Sequence, residues 1–234
     1  MNDKSPTIGL QDPAQTLAIR LGAIAAILLG LGYLLIIPVY ASVGAPPHDG
    51  EAWLRYLPGK TQQWWMILWL SIVTDLLFLP VAMALYCVLG RFNRPVMVLS
   101  SALMGLFVML DLAITWTHYA TILELYRRYA LAPDPAHQAA FVTGADCASA
   151  VLNTPLEIVY SIVTLSLGIL LAGWVMLRAR LAPVSSWLAL ITGVLGLLAL
   201  TGYAPYIVGN ALAATLWLFF VGVWMWRLSR ASNP

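Results

Sequence analysis

Charged side chains make up only 9% of this 234-residue sequence, against about 25% in ordinary globular proteins. The hydrophobic share is 61%, against roughly half. A water-soluble fold of this length has too little polar surface to cover so much apolar material, which excludes a soluble class. Histidine is sparse as well. Of the three histidines only His118 lies near an apolar run, so bis-histidine ligation of a membrane haem is excluded. Cys87 and Cys147 fall near opposite faces of a bilayer, too far apart to bridge within the chain. No Cys/His cluster has metal-ligand spacing. No lysine stands inside an apolar run, which removes a retinal Schiff base. There is no H-E-x-x-H, no Walker A loop, no paired aspartate-rich motif for prenyl diphosphates and no Gly-x-Ser-Gly turn. No basic cluster is dense enough for nucleic acid. No cofactor or metal is therefore expected.

What the sequence does contain is six apolar runs, at about 17–40, 64–89, 95–118, 155–178, 184–203 and 207–228, each free of Lys and Arg over its centre. A helical span needs about 20 residues at roughly 1.5 Å of rise each. In hydrocarbon the backbone must satisfy its own hydrogen bonds, so such runs form helices. The expectation is an all-α, polytopic transmembrane bundle of six helices, one domain over 1–234, with segments 41–63 and 129–154 outside the membrane. Val39-Tyr40-Ala41 resembles a signal cleavage site, but the stretch Leu21 to Tyr40 is too long for a signal h-region. The first run is read as a retained span.

The loop charges set the expected orientation. Lys4, Arg20, Arg91, Arg94, Arg178, Arg180, Arg227 and Arg230 fall on one side, against Arg55, Lys60, Arg127 and Arg128 on the other. Eight against four puts both termini in the cytoplasm. Trp64 and Trp65 then mark the outer interface, and Trp174, Trp187, Trp224 and Trp226 the inner one, as an anchoring belt.

Local signals refine the layout. Ala45-Pro46-Pro47-His48-Asp49-Gly50 is rich in turn formers. Asp134-Pro135 predicts a helix start that runs to about Leu152 along the outer surface. Thr154-Pro155-Leu156-Glu157 has the pattern of a capping box with proline at the first helical position. It predicts a break before the fourth span; the alternative is one long helix kinked at Pro155. Gly22, Ala26 and Gly30 recur at four-residue spacing, as do Gly209 and Ala213. Such small-residue stripes let helices approach closely. They are read as contacts within the bundle, with dimerisation through the first span as the alternative.

Ionisable groups within a bilayer are functional hypotheses by default. Asp75 falls near the middle of the second span, with Ser71 one turn before it. Asp111 falls in the outer half of the third, with Thr115 and His118 within about 40° of it on the same helix face. Glu157, Tyr160, Ser161 and Thr164 form a stripe on the fourth span, which Asp146 and Asn153 join if that helix is continuous. No Lys or Arg lies in the spans to neutralise Asp75, so it is either protonated or facing water or a bound cation. These residues suggest a polar pocket open to the exterior and lined by spans two to four. Its candidate ligand- or proton-binding residues are Asp75, Asp111, His118, Glu157, Tyr160, Ser71 and Thr115.

Asp75-Leu76-Leu77 leading to Ala84-Leu85-Tyr86, the basic turn Arg91-Phe92-Asn93-Arg94, Leu181-Ala182-Pro183, and Trp217 before Gly222-Val223 resemble bacterial six-span integral membrane families of unknown function. The resemblance covers roughly residues 70–228 and implies no activity. The expected protein is a non-enzymatic accessory, sensory or ligand-binding protein of the inner membrane. Its expected partners are the lipid bilayer and a second copy or a larger membrane complex. A proton- or cation-coupled transporter is the alternative, and a lipid-directed enzyme using Asp75 and Asp111 as its acid–base pair is the third reading.

Overall fold

The computed structural model describes residues 13–231; Lys4 lies outside them. All regular structure within those residues is helical, and six helices are long and apolar enough to cross a membrane. The first span is α1 (Pro13–Val43), followed by the short helix α2 (Gly50–Tyr56) and the second span, α3 (Thr61–Leu89). The third combines α4 (Arg94–Leu110), a π-helical turn (Asp111–Trp116) and α5 (Thr117–Tyr129). After α6 (Pro135–Leu152) the fourth comprises α7 (Pro155–Ile158), a second π turn (Val159–Val163) and α8 (Thr164–Arg178). The fifth is α9 (Pro183–Leu198) with a closing 3-10 turn (Ala199–Thr201), and the sixth is α10 (Ala204–Ala231).

Each span packs mainly on its neighbours in chain order, and α10 returns to pack on α1. The six helices thus form a closed ring. Its centre is filled by Phe78, Phe107, Met104, Ile169 and Trp217, all buried. Between membrane helices, lipid tails are as apolar as the core, so close van der Waals contact rather than expulsion of water holds the ring together. The small-residue stripe of α1 supplies that contact. A Cβ on Gly22 would overlap Ala84 and stand 2.8 Å from the carbonyl oxygen of Pro80, and one on Gly30 would meet the Phe219 ring at 3.0 Å. From the other side, a Cβ on Gly222 would lie 3.1 Å from the carbonyl of Ala23. The stripe is therefore covered within the chain, between α3 and α10.

One end of the ring carries the short turns 90–93 and 179–182 and is here termed the short-turn face. The other, the long-loop face, carries 44–60, 130–154 and 202–203. The long-loop face holds structure beyond the apolar runs. The third helix continues past its apolar stretch to Tyr129. Its last turns are polar and are tied by Glu124, which accepts bonds from Arg127 at 2.7 and 2.8 Å and from Arg128 at 2.9 Å. The turn-rich 41–63 segment also contains a helix, α2, capped by the Asp49 side chain on the backbone N–H of Ala52.

The helix α6 starts as expected, with Asp134 accepting from the His137 backbone N–H at 2.9 Å. The chain breaks at Asn153–Thr154, where Thr154 is extended. The capping box, however, does not form. The Thr154 hydroxyl turns back to donate to the carbonyl of Val151 at 2.9 Å, so α7 has no side-chain cap.

Candidate functional site

Asp75 is the central residue of α3, fourteen from each end. It is buried at 3% exposure, and Asp111, the first residue of the π turn, at 4%. One group joins them. The indole Nε1–H of Trp116 donates to Asp75 Oδ2 at 2.7 Å and to Asp111 Oδ2 at 3.1 Å. Trp116 is a site residue that sequence reasoning missed. On a regular helix Trp116 stands about 140° away from Asp111. A π turn bonds i to i+5 and brings those two positions onto one face. The widened turn leaves a carbonyl without its helical partner, and the Thr117 hydroxyl takes it, donating to Leu112 at 2.8 Å. Thr164 does the same for Val159 at 2.7 Å in the second π turn. Neither turn carries a glycine or proline that would announce it.

The same register change alters the other expectations. Thr115 remains beside Asp111 and is buried at 3% exposure. Its hydroxyl interacts with the Asp111 carboxyl, but neither it nor Asp111 Oδ1 makes a well-formed hydrogen bond. His118 does not join the carboxylates: its Nδ1 lies 2.6 Å from the carbonyl oxygen of Ile114, one turn back on its own helix. Ser71 is buried one turn from Asp75, while the half-buried Tyr86 packs against the central core. Glu157 and Tyr160 are half-buried on the fourth span and make no hydrogen bond to either aspartate. The Ser161 hydroxyl donates to the Glu157 carbonyl. The continuous stripe from Asp146 to Thr164 is not formed, because the chain breaks between them. Asp146 and Asn153 instead fasten the 41–63 segment to α6. Asp146 Oδ1 accepts from the Gly50 N–H at 2.5 Å, and Asn153 Nδ2 and Ser149 Oγ donate to the His48 carbonyl at 3.1 and 3.0 Å.

On the long-loop side of the pair lies a cluster of rings. Trp116 contacts Tyr119 at 5.6 Å between centroids, Tyr119 stacks on Trp64 at 5.3 Å, and Trp64 meets Trp53 edge-on at 5.0 Å. Tyr56 joins them, with Lys60 Nζ 3.8 Å above its ring and 2.9 Å from the Val43 carbonyl. The buried Trp53 indole nitrogen has no partner. Aromatic side chains thus fill the space that the expected exterior opening would use. Asp75 and Asp111 are within reach of one common atom, as an acid–base pair requires, but that atom belongs to Trp116.

A second polar contact joins the other spans. Asn210 on α10 donates through Nδ2 to Ser166 Oγ at 3.0 Å and to the Thr192 carbonyl at 2.7 Å. Among the described residues no group of three or more His, Cys, Asp or Glu side chains is gathered to hold a metal ion. No family model matches the chain, and neither the curated proteins nor the solved structures compared with it give a match.

Proposed function

We propose that this protein is a multi-pass inner-membrane protein that senses or binds a small ion, with one proton or one small cation held between Asp75 and Asp111. The observation that carries this reading is the Trp116 bridge, a single N–H shared by two buried carboxylates. An indole offers one donor, and two carboxylates offer several lone pairs. The Asp111 carboxyl also interacts with the Thr115 hydroxyl and with the Asp75 carboxyl. No Lys or Arg lies within reach, and two like charges in a low-dielectric interior require a proton or a cation between them. The proposed orientation has both termini in the cytoplasm. It is supported by the eight-to-four division of Lys and Arg. The likeness to bacterial six-span families supports the inner membrane.

Coupled transport is the second reading. It is favoured by the central position of Asp75 in α3, the depth at which transporters hold coupling ions.

The test is the fluorescence of Trp116, obtained as the difference between wild type and Trp116→Phe in lipid nanodiscs. It is followed across about pH 4 to 9, with and without sodium or potassium. The expected result is a transition that Asp75→Asn and Asp111→Asn each shift or abolish. A difference spectrum indifferent to pH and to both ions, and unchanged in both variants, overturns the proposal. An imposed pH gradient across proteoliposomes then separates sensing from transport: only a transporter dissipates it.

A further inference from the structure

Among the described residues, the short-turn face has an unbalanced charge. Its described residues include seven arginines and no carboxylate. The ion pairs formed among the described residues all lie on the long-loop face. One of these arginines lines a groove. Arg178 forms the wall of an open depression of about 440 Å³ together with Phe92, Asn93, Trp174, Val175 and Ala179. Its guanidinium lies 5.4 Å from the centre of the Trp174 ring, which holds it at the mouth. Asn93 spends its Oδ1 on the N–H of Val96 at 3.3 Å, so its amide nitrogen is left to donate.

A second depression lies next to it along the bundle. Trp174 also borders this one, of about 440 Å³, lined by Val96, Leu170, Leu171 and Leu190 and almost wholly apolar. Leu170 precedes Arg178 by eight residues, roughly 12 Å along the helix, so this trough runs from the face toward the middle of the membrane. Cationic and amide donors above an apolar channel match the two parts of a phospholipid. The absence of carboxylates among the described residues of this face discriminates between headgroups. A zwitterionic headgroup brings an ammonium that needs an anion, and the described residues of this face offer none. An anionic headgroup needs only the cation.

We propose that the crevice between α4, α8 and α9 binds one anionic phospholipid, its headgroup phosphate on Arg178 and Asn93 and one acyl chain along Val96, Leu170, Leu171 and Leu190. Basic pockets between membrane helices commonly take such headgroups. The site is separate from the buried aspartates and stands whether or not they bind an ion.

The test uses the full chain in phosphatidylcholine nanodiscs, with and without phosphatidylglycerol, read by thermal unfolding and by native mass spectrometry of retained lipid. Wild type is expected to retain one phosphatidylglycerol and to gain thermal stability from it, with no gain from inorganic phosphate. Arg178→Gln is expected to lower retention about fivefold. Arg230→Gln, which removes an arginine of the same face that is likewise stacked on a tryptophan but does not line the groove, is expected to leave retention unchanged. Equal losses in the two variants overturn the site in favour of diffuse surface charge. A gain from phosphate alone, or equal retention of phosphatidylcholine, overturns the lipid assignment.

Discussion

Two of the polar contacts between spans differ in kind. In the half built from spans four to six, Asn210 ties α10 to α8 and α9 with two donors and two acceptors. Every bond is neutral, and nothing is left to titrate. In the half built from spans one to three, a single N–H serves two carboxylates; unpaired buried hydroxyls occur in both halves, at Thr115 here and at Ser185 and Thr192 there. An interhelical contact that only needs to hold helices together has no use for the second arrangement, because desolvating a carboxylate is far more expensive than desolvating an amide. The neutral contact fits a purely structural role, and the acidic pair is the one that the ion binding proposed above would use.

That contrast can be broken at several points. The largest effect is expected at Gly196, where a Cβ would overlap the Ser166 side chain and come within 3.0 Å of Asn210 Nδ2. Gly196→Val should lose packing and hydrogen bond together, about 3 kcal/mol, read as a lowered unfolding midpoint in denaturant. Trp116→Phe should follow at about 2 kcal/mol, since it strips both carboxylates of their donor. Adding Asp75→Asn to Trp116→Phe should restore most of that loss, because the damage is a buried charge left alone. If the double variant is less stable than the single one, Trp116 acts through packing instead. Asn210→Leu should cost about 1 kcal/mol and leave the Trp116 signal untouched, whereas Asp75→Asn should change stability by less than about 1 kcal/mol and alter that signal.

The smallest effect belongs to the long-loop face. Hydrogen bonds from the His137 backbone N–H and ring hold the Asp134 carboxyl below its usual range. Its folded value is depressed, so the contribution of the cap is present above about pH 4 and is lost as pH falls through the lower folded value. Amide exchange at the start of α6 should therefore accelerate on acidification, and Asp134→Ala should remove that acceleration without moving the signals of the spans.

Legibility in the sequence tracked the physics of each feature. The spans were legible because lipid leaves the backbone one solution, and the start of α6 because Asp134 and Pro135 act locally. The Thr154 box had the right letters but the wrong outcome: its hydroxyl found the Val151 carbonyl of the preceding helix first. The α2 helix was hidden behind a turn-rich stretch, although Asp49 before Gly50-Glu51-Ala52 is a capping signal. Trp116 was hidden for a deeper reason. Helical periodicity assumes a constant register, and the π turn that moves Trp116 next to Asp111 depends on packing between spans rather than on any residue within it. Pairing across helices, as between Asp75 and Asp111, is likewise invisible to a pattern that runs along one chain segment.

The closure of the ring has a bearing on biogenesis. Helix α1 is flanked on one side by its successor and on the other by α10, which is made later than the four spans between them. Until α10 is inserted, the Ala23 and Gly30 strip of α1 faces lipid or a chaperone, and the bundle stays an open arc. The sixth span therefore acts as a latch. A chain stopped before residue 204 should enter the membrane yet remain a substrate for quality-control proteases, and supplying α10 as a separate peptide should rescue it.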